Sequence, residues 1–411
     1  MMSREEAPMN PWRSLGGLDR AVWVLCATTL INRTGTMVLP FLVLYLSRGL
    51  HLSPAQAGSA LTVYGAGALL MGPFAGRLCD RVGALGIMAA SLFLSGAALL
   101  LFPLVRGFGP VLAATFLWAL VNEAYRPAAM AILAGLAGPG QRKAVFALNR
   151  LAVNLGMSVG PALGGFLAMV DFRWLFWVDG ATSLLAFAFL WLMTPRHKSA
   201  LGGGEASPEG ERAGTPSGRA LANGPFLFFL AAIVPTVLVF FQIDAAFPLH
   251  LVKDLHMPEA VYGLFFTVNT VLIIFLEVPL NAAMARWSHR RSLALGALLT
   301  GAGFGALALA EGYWSVGMTV VIWTFGEMIL FPGSAAAVAD WAPPDRRGEY
   351  MGLYAMTFSL CFTAGPWLGT LVLEKLGSRP LWGLCLLLGC CTAAMVGSMR
   401  SLGGRREAAE A

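Results

Sequence analysis

Residues Gly156-Met157-Ser158-Val159-Gly160-Pro161-Ala162-Leu163-Gly164-Gly165 are matched 205 positions later by Cys361-Phe362-Thr363-Ala364-Gly365-Pro366-Trp367-Leu368-Gly369-Thr370. The shared element is Gly-Pro-x-x-Gly set in an apolar run. Glycines at helical spacing make a smooth face that lets a neighbouring helix approach closely. Proline removes a backbone donor and can bend the helix that holds it. The same offset carries His51 onto His256, Trp118 onto Trp323, Pro127 onto Pro332 and Arg142 onto Arg347. One constant offset over this length marks an internal repeat with the same chain direction in both copies.

The repeat unit is apolar throughout. Of the 411 residues, 57% are hydrophobic and only 12% charged, with mean hydropathy +0.70. A soluble domain carries roughly 25% charged residues, so this chain lacks the polar surface to solvate a globule. Length alone would allow two or three soluble domains. The recurrence of apolar runs of about 20 residues, each able to cross a hydrocarbon core of roughly 30 Å, overrides that reading. The runs predict helices over 20–47, 54–77, 83–105, 108–137, 143–170, 174–194, 224–252, 258–284, 290–310, 313–342, 346–374 and 378–400. The fold class is an all-α membrane protein of twelve transmembrane helices in two six-helix, pseudo-symmetric bundles.

The expected organisation is an N-terminal tail (1–19), a first bundle (20–194), a linker (195–223), a second bundle (224–400) and a C-terminal tail (401–411). The linker centre, from Gly202 to Ser217, is rich in Gly, Ser and Pro and reads as a tether without a core. With the N-terminus inside, 19 of the 28 Lys and Arg residues fall on cytoplasmic segments and 6 on outer loops. The positive-inside rule then places both termini in the cytoplasm and accounts for the net charge of +6 without invoking nucleic acid. The first apolar run is too long for a signal-peptide core and reads as a retained helix. The six cysteines show no CxxC spacing, and the five histidines no ligand spacing, so no metal site is expected. Nor is a nucleophile–base cluster or Walker-type phosphate loop visible, which argues against an enzyme or an ATP-driven machine.

Charges inside spans are costly, by roughly 2.5–3.5 kcal/mol on insertion scales, and face a cavity or a partner. Seven stand out: Arg33, Glu123, Arg126, Arg150, Asp244, Glu277 and Glu327. Arg33 follows Asn32 mid-helix and reads either as a cavity group for an anionic substrate part or as a structural partner of Glu123. Glu123 and Arg126 share a helical face; they either neutralise each other or form a pair switched by protonation. Asp244, after Gln242, sits nearer a helix end. Glu327 is central, with no basic residue in its own helix, and is the preferred proton carrier. For Arg150 and Glu277, nearer the inner ends, a structural role comes first.

Over essentially its whole length the chain resembles the major facilitator superfamily, most closely its drug/proton antiporter branch. Gly76-Arg77-Leu78-Cys79-Asp80-Arg81-Val82-Gly83 matches the family's G-x-L-x-D-R-x-G loop. The resemblance implies that this loop, through Gly76, Asp80, Arg81 and Gly83, latches the cytoplasmic side of an outward-facing state. Ala84 and Leu85 replace the basic residues that usually follow. Gly156, Gly160, Pro161 and Gly164 look like the family's antiporter motif, which implies export. Thr115 stands where the family's drug antiporters carry an arginine before the proline matched by Pro127. The resemblance also implies that helices 1, 4, 7 and 10 line a central path, so that the substrate and proton pathway is expected to involve Asn32, Arg33, Glu123, Arg126, Gln242, Asp244 and Glu327. The expectation is a monomeric secondary transporter of a bacterial inner membrane, working by alternating access and needing no cofactor beyond the proton gradient. Its partners would be protons and a small organic, amphipathic substrate such as a drug. Alternatives are proton-coupled nutrient uptake and export of one dedicated metabolite such as a siderophore; a membrane-embedded enzyme and a non-transporting sensor are the competing classes.

Overall fold

The computed structural model describes residues 17–138, 141–194, 220–284, 286–343 and 346–399. The two tails and most of the linker, 195–219, lie outside the described residues. Within the described residues the helices are α1 (Arg20–Gly49), α2 (Pro54–Val82), α3 (Ala84–Leu104), α4 (Phe108–Asn122 and Tyr125–Leu136), α5 (Arg142–Val170) and α6 (Arg173–Met193). The second half has α7 (Gly224–Phe240, then Phe241–Asp244, Ala246–Leu249 and His250–Asp254), α8 (Glu259–Ala283), α9 (His289–Leu309), α10 (Tyr313–Trp341), α11 (Arg347–Leu376) and α12 (Ser378–Ser398). Ten are apolar over a window long enough to cross a bilayer. The other two are α2, 29 residues long and rich in Gly and Ala, and α4, which is interrupted.

Three spans expected to be continuous are broken, each for a reason written in the chain. Proline at position i cannot donate to the carbonyl at i−4 and crowds it. Pro40, Pro127 and Pro248 therefore release the carbonyls of Thr36, Glu123 and Asp244. α1 breaks at Thr36–Met37, α4 at Glu123–Ala124 and α7 at Phe241–Ala245. A second correction concerns the expected loop at Gly76–Gly83. Those residues up to Val82 are the last turns of α2, and only Gly83, at φ +91°, makes the turn into α3.

The 205-residue offset reappears in the backbone. Tyr45–Gly49 and His250–Asp254 are both π-turns at the ends of α1 and α7. His51 (φ 55°) and His256 (φ 53°) are the non-glycine residues at positive φ among the described residues. Matching hydrogen bonds hold the two turns: Leu50 N–H to the Tyr45 carbonyl (3.2 Å) and Leu255 N–H to that of His250 (3.0 Å). A left-handed histidine is sterically costly, so its presence at the same place in both halves marks a shared turn geometry.

One apolar core spans both halves at the face opposite the termini, built from Phe41, Tyr64 and Trp118 of the first half and Phe247, Tyr262 and Trp323 of the second. At the terminal face there are two separate cores, one around Val22, Met88 and Val145 and one around Phe229, Leu293 and Tyr350. The halves thus share one apolar core on the far side and have separate apolar cores on the terminal side. α5 runs against α8 and α2 against α11. Glycines make both seams close: a Cβ on Gly263 would overlap the Pro161 carbonyl oxygen, one on Gly165 would stand 2.7 Å from Ala260 Cα, and one on Gly65 2.6 Å from Thr363 Oγ1. Polar ties close the far side. Arg48 pairs with Glu259 at 2.6 Å, Glu374 accepts from the Ala55 N–H at 2.8 Å, and Lys253 donates to Ser47.

The seam gives a direct test. Gly263→Leu forces apart two backbones with no flexible atom to yield, an overpacking cost of about 1–3 kcal/mol. The purified variant is expected to melt at a lower temperature than the parent in detergent. Gly312→Ala, where a Cβ meets nothing within 4 Å, should melt as the parent does.

Candidate functional site

The polar groups in the middle of the bundle sit at the helix breaks. In the first half, the α2 residue Tyr64 donates its hydroxyl to Glu123 Oε1 (2.7 Å) and accepts from the Asn122 amide (2.7 Å). Ser95 of α3 donates to Asn122 Oδ1 (3.2 Å), and the Trp118 indole donates to Ser95 (2.9 Å). Glu123 is half-buried at the broken end of the first α4 segment. Its side chain is therefore placed by Pro127 through the backbone and by Tyr64 through a hydrogen bond.

The second half repeats this arrangement with other residue types. Adding 205 carries Tyr64 onto Asn269 and Asn122 onto Glu327. Asn269 of α8 donates to Glu327 Oε2 (2.8 Å) and to Thr324 Oγ1 (3.0 Å) on α10. The α2–α4 contact and the α8–α10 contact are thus one polar joint, used twice. Pro332, one turn further along α10, frees the Met328 carbonyl, which accepts from Asn281 of α8 at 3.1 Å.

Arg33 lies one turn before the α1 break. Its guanidinium carbon stands 5.8 Å from the ring centroid of Tyr125, and its Nε is buried with no hydrogen-bond partner among the described residues. α1 is pressed onto the glycine face of α5. A Cβ on Gly156 would overlap Arg33, one on Gly160 would stand 2.8 Å from the Thr36 carbonyl oxygen, and one on Gly164 2.8 Å from Met37 Cβ. The expected antiporter motif thus seats the break of α1. Its repeat does the same for α7: the Gly365 carbonyl accepts from Gln242 at 2.9 Å, and a Cβ on Gly369 would overlap the Gln242 amide.

The expected site residues therefore divide. Arg33, Glu123, Asp244 and Glu327 stand at the breaks or in the polar joints. Asp244 ends the short turn Phe241–Asp244 and has no hydrogen bond or ion pair among the described residues. Asn32 turns away to donate to Ser183 of α6 (3.2 Å), and Gln242 turns to α11. Arg126 is exposed and makes no ion pair with Glu123 among the described residues. Among the latch residues, Gly76 and Arg81 are exposed at the terminal end of α2, and the side chain of Asp80 lies outside the described residues.

Two features were not found from sequence. Asp179, 5% exposed in α6, accepts the N–H groups of Met37 (3.2 Å) and Val38 (3.1 Å) and so caps the second segment of α1. The signal was available, since it is the lone acid inside the 21-residue span Arg173–Met193. The second feature is the ion pair between Arg150 of α5 and Glu277 of α8, which ties the two halves together. No sequence spacing announces it, because the partners lie in different repeats at unmatched positions.

The profile of the Major Facilitator Superfamily matches residues 24–250 and 236–402. The chain belongs to that superfamily. It is a secondary transporter of small molecules and not an enzyme. It is 26% identical to the uncharacterized MFS-type transporter YqjV of Bacillus subtilis (strain 168), across 93% of this chain and 92% of that one. It is 24% identical to the multidrug resistance protein MdtH of Aeromonas hydrophila subsp. hydrophila, across 90% and 94%. The crystal structure of the nucleoside transporter NupG superposes with a TM-score of 0.77 at 12% identity, over 92% of this chain and 98% of that one. That likeness extends to the fold alone.

The ion pair between halves can be tested by exchange. Glu277 is 12% and Arg150 60% exposed, so the pair contributes on the order of 1 kcal/mol after solvent screening. Glu277→Arg alone places two cations together and should lower the melting temperature. Adding Arg150→Glu should recover most of the loss, and a double variant no better than the single would deny the pairing.

Proposed function

We propose that this transporter is a proton-coupled antiporter that exports small organic, amphipathic compounds. The observation that carries the reading is the placement of Glu123 and Glu327 in the same polar joint of opposite halves, with Asp244 unpaired beside the α7 break. An ionised carboxylate in a lipid-embedded bundle is costly unless paired, and neither Asp244 nor Glu327 has a cation within ion-pair distance among the described residues. Such groups bind and release protons as the surrounding water changes. Glu327 is the preferred carrier in the second half and Glu123 its counterpart in the first. Arg33, which stacks on Tyr125 and makes no ion pair among the described residues, is the group that a deprotonated carboxylate or an anionic substrate part would engage.

Alternating access supplies the path. The far side is closed by a shared apolar core and by polar ties, while on the terminal side each half has its own apolar core and the Arg150–Glu277 ion pair links them. With the termini in the cytoplasm, as the Lys and Arg bias argues, this arrangement opens toward the cytoplasm, where Gly76 and Arg81 of α2 are exposed. The glycine-proline face on α5 and the likeness to a multidrug resistance protein favour export over uptake. The plasma membrane of a bacterium is the setting this reading assigns.

The test uses the full chain in proteoliposomes with an imposed pH gradient and ethidium as probe. Protons and ethidium should move in opposite directions, and ethidium moving with protons would overturn antiport. Glu327→Gln should abolish gradient-driven movement at unchanged protein yield. Unaltered transport over a pH series in that variant would remove Glu327 from the mechanism.

A further inference from the structure

We propose that Asn269 is the positioning residue for Glu327, and that its donation decides the pH at which Glu327 exchanges its proton. The inference rests on the reading of Glu327 as a proton carrier. Asn269 is 5% exposed and uses both amide hydrogens, one on Glu327 Oε2 (2.8 Å) and one on Thr324 Oγ1 (3.0 Å). The Thr324 hydroxyl gives its own hydrogen to the Val320 carbonyl at 2.6 Å. Its oxygen can then only accept, which forces the amide to present nitrogen rather than oxygen to Thr324 and Glu327. A donor locked in this orientation favours a charged carboxylate over a neutral one.

Among the described residues nothing else near Glu327 plays that part. The charged groups facing it are Asp244 on α7 and Glu277 on α8, both acidic, and Glu277 is already engaged by Arg150 of α5. The described charges of α9, α11 and α12 lie at their helix ends. Asn269 is the hydrogen-bond donor to Glu327 among the described residues. The first half has a related contact: Tyr64, which matches Asn269, donates to Glu123 at 2.7 Å, one residue from Asn122, the match of Glu327. The residue type has changed between the repeats while the task, a donor from the second or eighth helix to a carboxylate of the fourth or tenth, has been kept.

The experiment titrates proton uptake by the full-length chain in detergent, with pyranine as indicator, for the parent and for Glu327→Gln, Asn269→Leu and Asn269→Gln. The difference between parent and Glu327→Gln isolates the proton of Glu327. Asn269→Leu should move the midpoint of that proton to higher pH by roughly one unit, the size expected for losing one hydrogen bond to a charge. Asn269→Gln, which keeps the amide, should stay closer to the parent. Adding Asn269→Leu to Glu327→Gln should cause no further shift. An unmoved midpoint in Asn269→Leu at parental melting temperature overturns the proposal. Where that variant does not fold, Thr324→Val removes the lock on the amide and must move the midpoint in the same direction, or the proposal fails. Equal proton uptake by Glu327→Gln and the parent overturns the carrier reading itself, a result distinct from an unmoved midpoint.

Discussion

A bilayer core holds no water to satisfy a backbone group, and this constraint organises the transporter. Helices answer it by bonding every N–H to a carbonyl within the segment, and irregular backbone survives only where protein or a cavity covers it. Pro40, Pro127 and Pro248 break that rule in α1, α4 and α7. The groups around these and related kinks are met by side chains: Asp179 takes the N–H groups of Met37 and Val38, Tyr262 donates to the Ile243 carbonyl at 3.1 Å, and Asn281 serves the Met328 carbonyl. Breaks therefore mark the interior of the bundle, and the same interior is the place where a carboxylate or guanidinium can be kept. The proline pattern and the charge pattern coincide for one physical reason.

The same constraint explains the seams. Apolar side chains gain little from meeting each other in lipid, so helices hold together through close backbone approach and a few polar contacts. At Gly263 and Gly165 the backbones of α5 and α8 touch, and at Gly65 α2 meets α11. Contacts of this kind have no long side chains to disentangle, which suits surfaces that must pivot. The polar ties Arg48–Glu259 and Ala55–Glu374 lie at one end of these seams. Closure on that side thus depends on contacts accessible to water, where they can be exchanged for hydration at modest cost.

Much of the fold was legible in the sequence because lipid makes hydropathy a nearly complete description of a span. Helix ends agree with the expected ones to within a few residues, apart from α2, whose last turns were read as a loop because residues 76–83 match the superfamily's loop motif. The breaks were harder to read. A proline in an apolar run announces a bend, but its consequence depends on which neighbour takes the freed groups. The candidate site was legible by type and not by contact. Glu123 and Glu327 were visible as charges within spans. Asn269 was not, since an asparagine in a span has no meaning until its partner is known. Asn32 and Gln242 show the converse, polar residues beside charged ones that turn out to hold their own helix to a neighbour.

The repeat keeps its backbone and varies its charges. Offset by 205, Arg33 falls on Leu238, Glu123 on Met328, Arg126 on Phe331, Arg150 on Ala355 and Asp179 on Leu384, while Asp244 and Glu327 match Leu39 and Asn122, and Glu277 matches Gly72. None of these eight charges is duplicated, although the π-turns, the left-handed histidines, the glycine-proline faces and the helix-to-helix polar joints all are. Electrostatics gives a reason. A pseudo-twofold axis through a shared cavity would set each duplicated charge against its own copy, and like charges in a water-poor site cannot both stay ionised. Packing tolerates symmetry because surfaces that fit in one half fit in the other. A single pathway with a direction cannot share that symmetry in its charges, and the two halves have kept the scaffold in common while dividing the chemistry between a guanidinium-bearing wall and a carboxylate-rich one.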